Sequence, residues 1–516
     1  MNEAQSRREF LAGVGKGTLL ATIGPALASE LGISTAHAVE APATLDFGAL
    51  EPLVRLMQET PPSNLQPALA AKLKEGVPLK KLVAAGVLAN ARTFGGEDYI
   101  GFHTLMALGP CLEMAGAMPE REQALPVFKV LYRNTSRIQE NGGRESEVLR
   151  PVDAAPGQSA PEDLRASVRS RDTAGAERVF ASLMRQDAEA GFNALLECVQ
   201  DHPEVHRTVL PYRAWDLLDL VGREHATTML RMSLRYCLEA ESRRRPEWDE
   251  NGKMLARLLD EHKLLGRDPG TRSMEDAAVE KLCMDIFKGT PDDAAAAVAT
   301  ALAEGFDPRE IGEAISLAAN QLVLRDHGRP PEWESPGKPA GSVHGDSVGV
   351  HASDSVHAWR NLSSASRGRN VTACLILGAW QVARDRGGVS ATMLAREPLP
   401  SPYHLRRVTR NDQAALLSEL DGMIRQNLQS HAAAVVHHWG ALGLPERPVL
   451  GMLLRYAVSE DGALHAEKYF QTAWDEFRRT RPAFRWRHLT ALARVTASEY
   501  GRPAPGQDEA RALLGV

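Results

Sequence analysis

The stretch "GSVHGDSVGVHASDSVHAW" (341–359) sets three histidines, His344, His351 and His357, and two aspartates, Asp346 and Asp354, close together in the chain. Within it, Gly345 to Gly349 fits the G-x-S-x-G pattern of a serine-hydrolase elbow. Such an elbow needs a buried strand before it and a helix after it, because the strained turn between them exposes the hydroxyl. The preceding residues "WESPGKPAGSVH" cannot form a buried strand, so Ser347 or Asp346 reads as the N-cap of a helix starting near Val348. On a helix over about 348–363, His351, Asp354 and His357 follow at intervals of three and spread over roughly 120° of one side. Neighbours three apart can point at one ion. His344, in the loop ahead, can fold back over them as a catalytic group, with the Pro-rich loop before it as a lid.

His103, in "YIGFHTLMAL" (99–108), and Glu113 further along the same helix are further candidate ligands. The expected metal set is His103, His351, Asp354 and His357. A mixed imidazole and carboxylate set without thiols suits iron, manganese or zinc. His225, in a helix of apolar pattern, is a second candidate catalytic histidine beside His344; a buried imidazole poised near neutral pH can act as a general base. His202 and His206 are four apart, but Pro203 between them suggests a turn. His437 and His438 are adjacent and diverge by about 100°, so at most one points inward. His465 and Lys468 read as surface and interhelical packing. No P-loop, strand-borne G-x-G-x-x-G or C-x-x-C-H motif is present.

These residues need elements to hold them, and the periodicity supplies helices. Apolar positions recur at three- and four-residue spacing, as in "AERVFASLMRQDAEAGFNALLECVQDH", and alternating strands bounded by tight turns are almost absent. The fold class expected is mainly α, multi-helical, with few or no strands. Gly- and Pro-rich breaks occur at 140–170, 325–347 and 396–404. They divide the chain into a leader (1–38), a helical copy (39–139), a linker (140–170), a helical segment (171–290), a second copy with an inserted Pro-rich loop (291–395), and C-terminal helices (396–516).

The two copies rest on an internal similarity. "AAKLKEGVPLKKLVAAGVLAN" (70–90) aligns without a gap with "ATALAEGFDPREIGEAISLAA" (299–319), each reading as helix, glycine cap, Pro-containing turn and helix. Beyond an insertion, 99–108 aligns with 347–356, pairing Gly101 with Gly349 and His103 with His351. The hairpin, especially "ALAEGFDPREIGEAISLAA", resembles the helical unit of the carboxymuconolactone decarboxylase and alkylhydroperoxidase-D type proteins. The redox members of that group depend on a C-x-x-C pair, which this chain lacks, so their thiol chemistry does not carry over.

The N-terminus combines Arg7-Arg8 followed by Phe10-Leu11, a moderately apolar run and Ala36-His37-Ala38, which resembles a cleavable twin-arginine leader. It implies passage through the twin-arginine export machinery and a periplasmic or secreted protein. The net charge of −6 gives no footprint for nucleic acid, and no later apolar run is long enough to span a bilayer. Five scattered cysteines read as buried thiols in helices. The function expected is an exported, histidine-rich metal-dependent oxidoreductase acting on a small-molecule substrate. The alternatives are a cofactor-free helical enzyme with a histidine base and a periplasmic binding or scaffold protein.

Overall fold

The three- and four-residue spacing of apolar side chains becomes helix throughout. The computed structural model describes residues 44–516, save 336–337, 344–346 and 390. The twin-arginine leader and His344 therefore lie outside the described residues. Among the described residues there is no sheet, only three isolated bridges, Arg272 with Phe306, Ser335 with Lys338 and Glu460 with Pro503. The fold is mainly α and multi-helical, and no described helix is long and apolar enough to cross a membrane. All five cysteines are buried and free.

Six helices of the first half matter for the site: α1 (Pro62–Lys74), α2 (Leu79–Phe94), α3 (Tyr99–Ala117), α4 (Ala124–Glu140), α5 (Val205–Asp216) and α6 (Ala226–Ala240). Seven follow in the second half: α7 (Pro291–Ala303), α8 (Pro308–Leu324), α9 (Val348–Ala365), α10 (Arg369–Val389), α11 (Gln429–Ala441), α12 (His465–Arg479) and α13 (Trp486–Glu499). The turns of the two hairpins, α1–α2 and α7–α8, pass through Gly76 and Gly305 at φ +86° and +80°, where a side chain would be strained.

The packing pattern repeats between the halves. In the first, α1 lies on α4, and α3 packs between α2 and α4; in the second, α7 lies on α10, and α9 packs between α8 and α10. Helix α5 packs on α6 as α12 packs on α13. Across the halves, α5 lies against α9 and α12 against α3, while α5 also touches α3 and α12 touches α9. The helices α3, α5, α9 and α12 thus close a ring.

Glycines set how closely α3 and α9 approach their neighbours. A Cβ on Gly101 would stand 2.5 Å from the Phe94 ring of α2, and one on Gly349 would stand 2.6 Å from the backbone nitrogen of Val323 in α8. Each glycine precedes a histidine by two residues. Helix α9 begins at Ser347, whose hydroxyl accepts from Val350 N at 3.4 Å, so this serine caps a helix as its context predicted. The segment expected as a linker is tied in: buried Glu147 sits 3.0 Å from Arg92 Nε, and Leu149 and Leu164 are fully buried. From Phe47 to Val516 the chain is one compact unit.

Candidate functional site: four histidines at four helix starts

Each of the four ring helices presents a histidine near its N-terminal end. His103 is the fifth residue of α3, His206 the second of α5, His351 the fourth of α9 and His465 the first of α12. Local caps fix three of these starts. Asp98 accepts from Gly101 N at 2.6 Å, Glu204 accepts from the N–H groups of His206 and Arg207, and Ser347 caps α9. Helix α12 has no side-chain cap; the chain enters it through Ala463 and Leu464, both at positive φ.

The imidazoles meet in pairs. His103 Nε2 lies 3.2 Å from His206 Nε2, and His351 Nε2 lies 3.1 Å from His465 Nε2. Between the pairs, ring centroids are 5.2 Å apart for His103 and His465 and 6.0 Å for His206 and His351. Among the described residues, no three His, Cys, Asp or Glu side chains already surround one point closely enough for an ion.

Hydrogen bonds on the far side of two of the rings fix their tautomers. A carbonyl only accepts, so His103 Nδ1 donates to Tyr99 O at 2.6 Å and His465 Nδ1 donates to Ala463 O at 3.1 Å. His206 Nδ1 lies 3.5 Å from Glu204 Oε2. In His103 the unprotonated Nε2 therefore faces the neighbouring imidazole. His103 is 3 % exposed. Its pKa is held far below the usual histidine range, first by burial and then by the charge of Lys468 and the facing His206 and His351. Burial would raise the Glu204 carboxyl, but hydrogen bonding and charge from His206, with two backbone N–H donors, pull it down to about 2.

Deeper in the ring the lining stays polar, which is rare for a helical core. Asp354, one turn along α9 from His351, is buried and accepts from Thr472 Oγ1 at 2.9 Å. Burial raises its pKa against the opposing pull of Lys468, Thr472 and Arg213. Lys468, one turn along α12 from His465, is likewise buried, and burial lowers its pKa to about 8 although Asp354 favours its charge. Buried Arg213 of α5 donates to Gln471 Oε1 at 2.5 Å. Further on, His357 Nε2 lies 3.2 Å from Asp475 Oδ2, and burial lowers its pKa to about 4.

On the outer side, the Phe102 ring stacks 5.0 Å from His103, and Tyr99, 60 % exposed, leans over His103 and edges His206. Glu204, in contact with His206, also lines a surface cleft of about 380 Å³ with His202, Tyr236, Arg243, Arg245 and Trp248. This cleft adjoins the centre through Glu204 and through Tyr236, whose ring lies 6.5 Å from that of His206.

No protein-family model matches the chain, and neither a curated protein nor a solved structure is similar to it.

The expected site residues fare unequally. The structure brings His103 and His351 to one centre. Asp354 stands one turn below it, hydrogen-bonded to Thr472. His357 is six residues from His351, about 9 Å along the axis, and it faces Asp475 and the Tyr212 ring instead. His225 lies in a 3-10 turn ahead of α6, not within a helix, with its ring edge-on to Phe47 at 5.4 Å. Glu113 is exposed. His206 and His465 stand in the centre and Lys468 beside it, where their sequence context reads as turn and packing. The sequence does carry a signal for the two histidines: His206 precedes Ala214-Trp215-Asp216 at the same spacing as His465 precedes Ala473-Trp474-Asp475.

Proposed function

We propose that this protein is a metal-dependent enzyme, an oxidoreductase acting on a small molecule, whose ion is held by His103, His206, His351 and His465. The observation that carries this reading is the facing pair, His103 Nε2 and His206 Nε2, at 3.2 Å with the outer nitrogens turned to a carbonyl and a carboxylate. Two imidazole lone pairs at that distance repel unless a proton or a metal ion lies between them. Two nitrogens bound to one tetrahedral ion at about 2.0 Å stand about 3.3 Å apart, close to the spacing in both pairs. Carbonyl and carboxylate partners on Nδ1 are the supports that metal-bound imidazoles use.

An all-imidazole set favours iron or zinc over manganese, which goes with carboxylate and water. When bound, such an ion supplies an electrophilic position at which water, dioxygen or a substrate oxygen is activated. The chain's own part is to hold neutral imidazoles, to keep bulk water out with Phe102 and Tyr99, and to move protons. Lys468, with a pKa near 8, donates or accepts one beside the centre, and Asp354 stabilises its charged form.

The test is metal analysis of the full, untagged chain purified without chelators, with cobalt(II) titration of the stripped protein. Near-stoichiometric iron or zinc, lost in a His103→Ala/His351→Ala double variant, and ligand-field bands of nitrogen-bound cobalt are expected. Substoichiometric metal unchanged in the double variant, with only the hydrated-cobalt spectrum, would overturn the reading.

A further inference from the structure

A second cluster of histidines lies apart from the centre, where α11 begins. A cleft of about 400 Å³ is lined there by His327, His404, His431 and Arg494, with Gln429 and Ser430 of the first turn of α11. None of its described lining residues carries a carboxylate. Arg494 of α13 is 2 % exposed; its terminal nitrogens donate to the carbonyls of Val323 and Asp326, while its Nε has no hydrogen-bond partner. His404 Nδ1 accepts from Ser401 N at 3.3 Å and faces Ser401 Oγ at 2.9 Å, so the ring proton sits on Nε2 as a donor. The His431 ring stands edge-on to His404 at 5.0 Å, and its Nε2 is buried without a partner.

Helix α11 has no side-chain cap at Leu428, and the carbonyls of Asn427 and Leu428 already accept from Gln429 N and His431 N at 3.0 Å each. The charges that bear on the three histidines are mostly positive, from Arg396, Arg407 and Arg494, against Asp326 and Glu419. Buried ring and guanidinium nitrogens without partners, the positive end of α11 and an excess of positive charge together ask for an acceptor. We infer that this cleft is a second binding site, taking a small oxyanion group, phosphate or carboxylate, on His404, His431, Arg494 Nε and the start of α11. The inference stands independently of any ion at the four-histidine centre.

Isothermal titration of the full chain with inorganic phosphate and with acetate, before and after chelator treatment, tests it. Saturable binding of one anion is expected, unchanged by the chelator and weakened by about tenfold or more in His404→Ala/His431→Ala, since each donor to an anion is a charge-assisted bond. The tighter of the two anions identifies the group. Should the double variant fail to fold, histidine-ring NMR of the unmodified chain replaces it, with the His404 and His431 nitrogens expected to shift on titration. Absence of saturable binding of both anions up to about 10 mM, undiminished binding in a folded double variant, or ring signals that stay put while heat is released would each overturn it.

Discussion

Lys468 and Asp354 form a buried pair of opposite tendency: burial pulls the lysine down to about 8 and pushes the carboxyl up, and each restrains the other's shift. Removing the carboxylate while keeping its shape isolates this coupling. In Asp354→Asn the lysine loses its favourable neighbour while Arg213 still opposes its charge, so its pKa falls further, below about 8. Carbon-13 NMR of reductively dimethylated protein measures this, and an unmoved Lys468 titration would refute the coupling. At this scale, what the sequence reveals depends on local markers. His103 and His351 are legible because each follows a matching glycine on a strongly patterned helix. His206 hides behind Pro203, and His465 behind a capless start at Ala463 and Leu464, where no propensity announces a helix. Only the shared Ala-Trp-Asp spacing links them, and it becomes informative once α5 and α12 are known to face one another.

For the helices, the decisive positions are small. A methyl at Gly349 would meet the backbone of Leu322 and Val323 at 2.8 and 2.6 Å, and backbone cannot swing aside. Gly349→Ala is therefore expected to cost about 1–3 kcal/mol and to displace His351 from His465. Gly451 makes the contrast. It too lies inside a helix, Glu446–Ser459, but its added Cβ would meet nothing within 4 Å, so Gly451→Ala gains about 0.5–1 kcal/mol from helix propensity. Urea denaturation of both variants checks the pair, and equal effects would show that close approach does not govern α9. The helical class, both hairpins and the cap at Ser347 were readable from periodicity and turn chemistry. The inward side of α9 was not: three residues at intervals of three looked like one ligand face, yet they meet three successive partners along α12, His465, Thr472 and Asp475, and not one point.

For the molecule as a whole, burying neutral imidazoles makes acid an antagonist. His357 titrates at about 4, His202 and His488 at about 3, and His103 lower still, each lowered chiefly by burial. The unfolded chain binds these protons near pH 6.5 and the folded chain does not, so stability is full above 6.5 and falls as pH drops toward 4. His357 alone accounts for about 3 kcal/mol of that loss. Urea unfolding at pH 7, 5.5 and 4 should show this fall, and a flat profile would contradict the buried neutral state. The domain plan drawn from the sequence separated segments that pack as one unit, because a Gly- and Pro-rich stretch looks alike whether it spans solvent or carries Glu147 into Arg92.

The pairing of the histidines also has a temporal side. His103 and His206 leave the ribosome long before His351, and His465 comes last. A nascent chain can thus assemble one imidazole pair early, but it cannot close the ring until α12 has been made and docked. A chain stopped short of α12 would keep three of the four imidazoles and leave the ring open where His465 belongs.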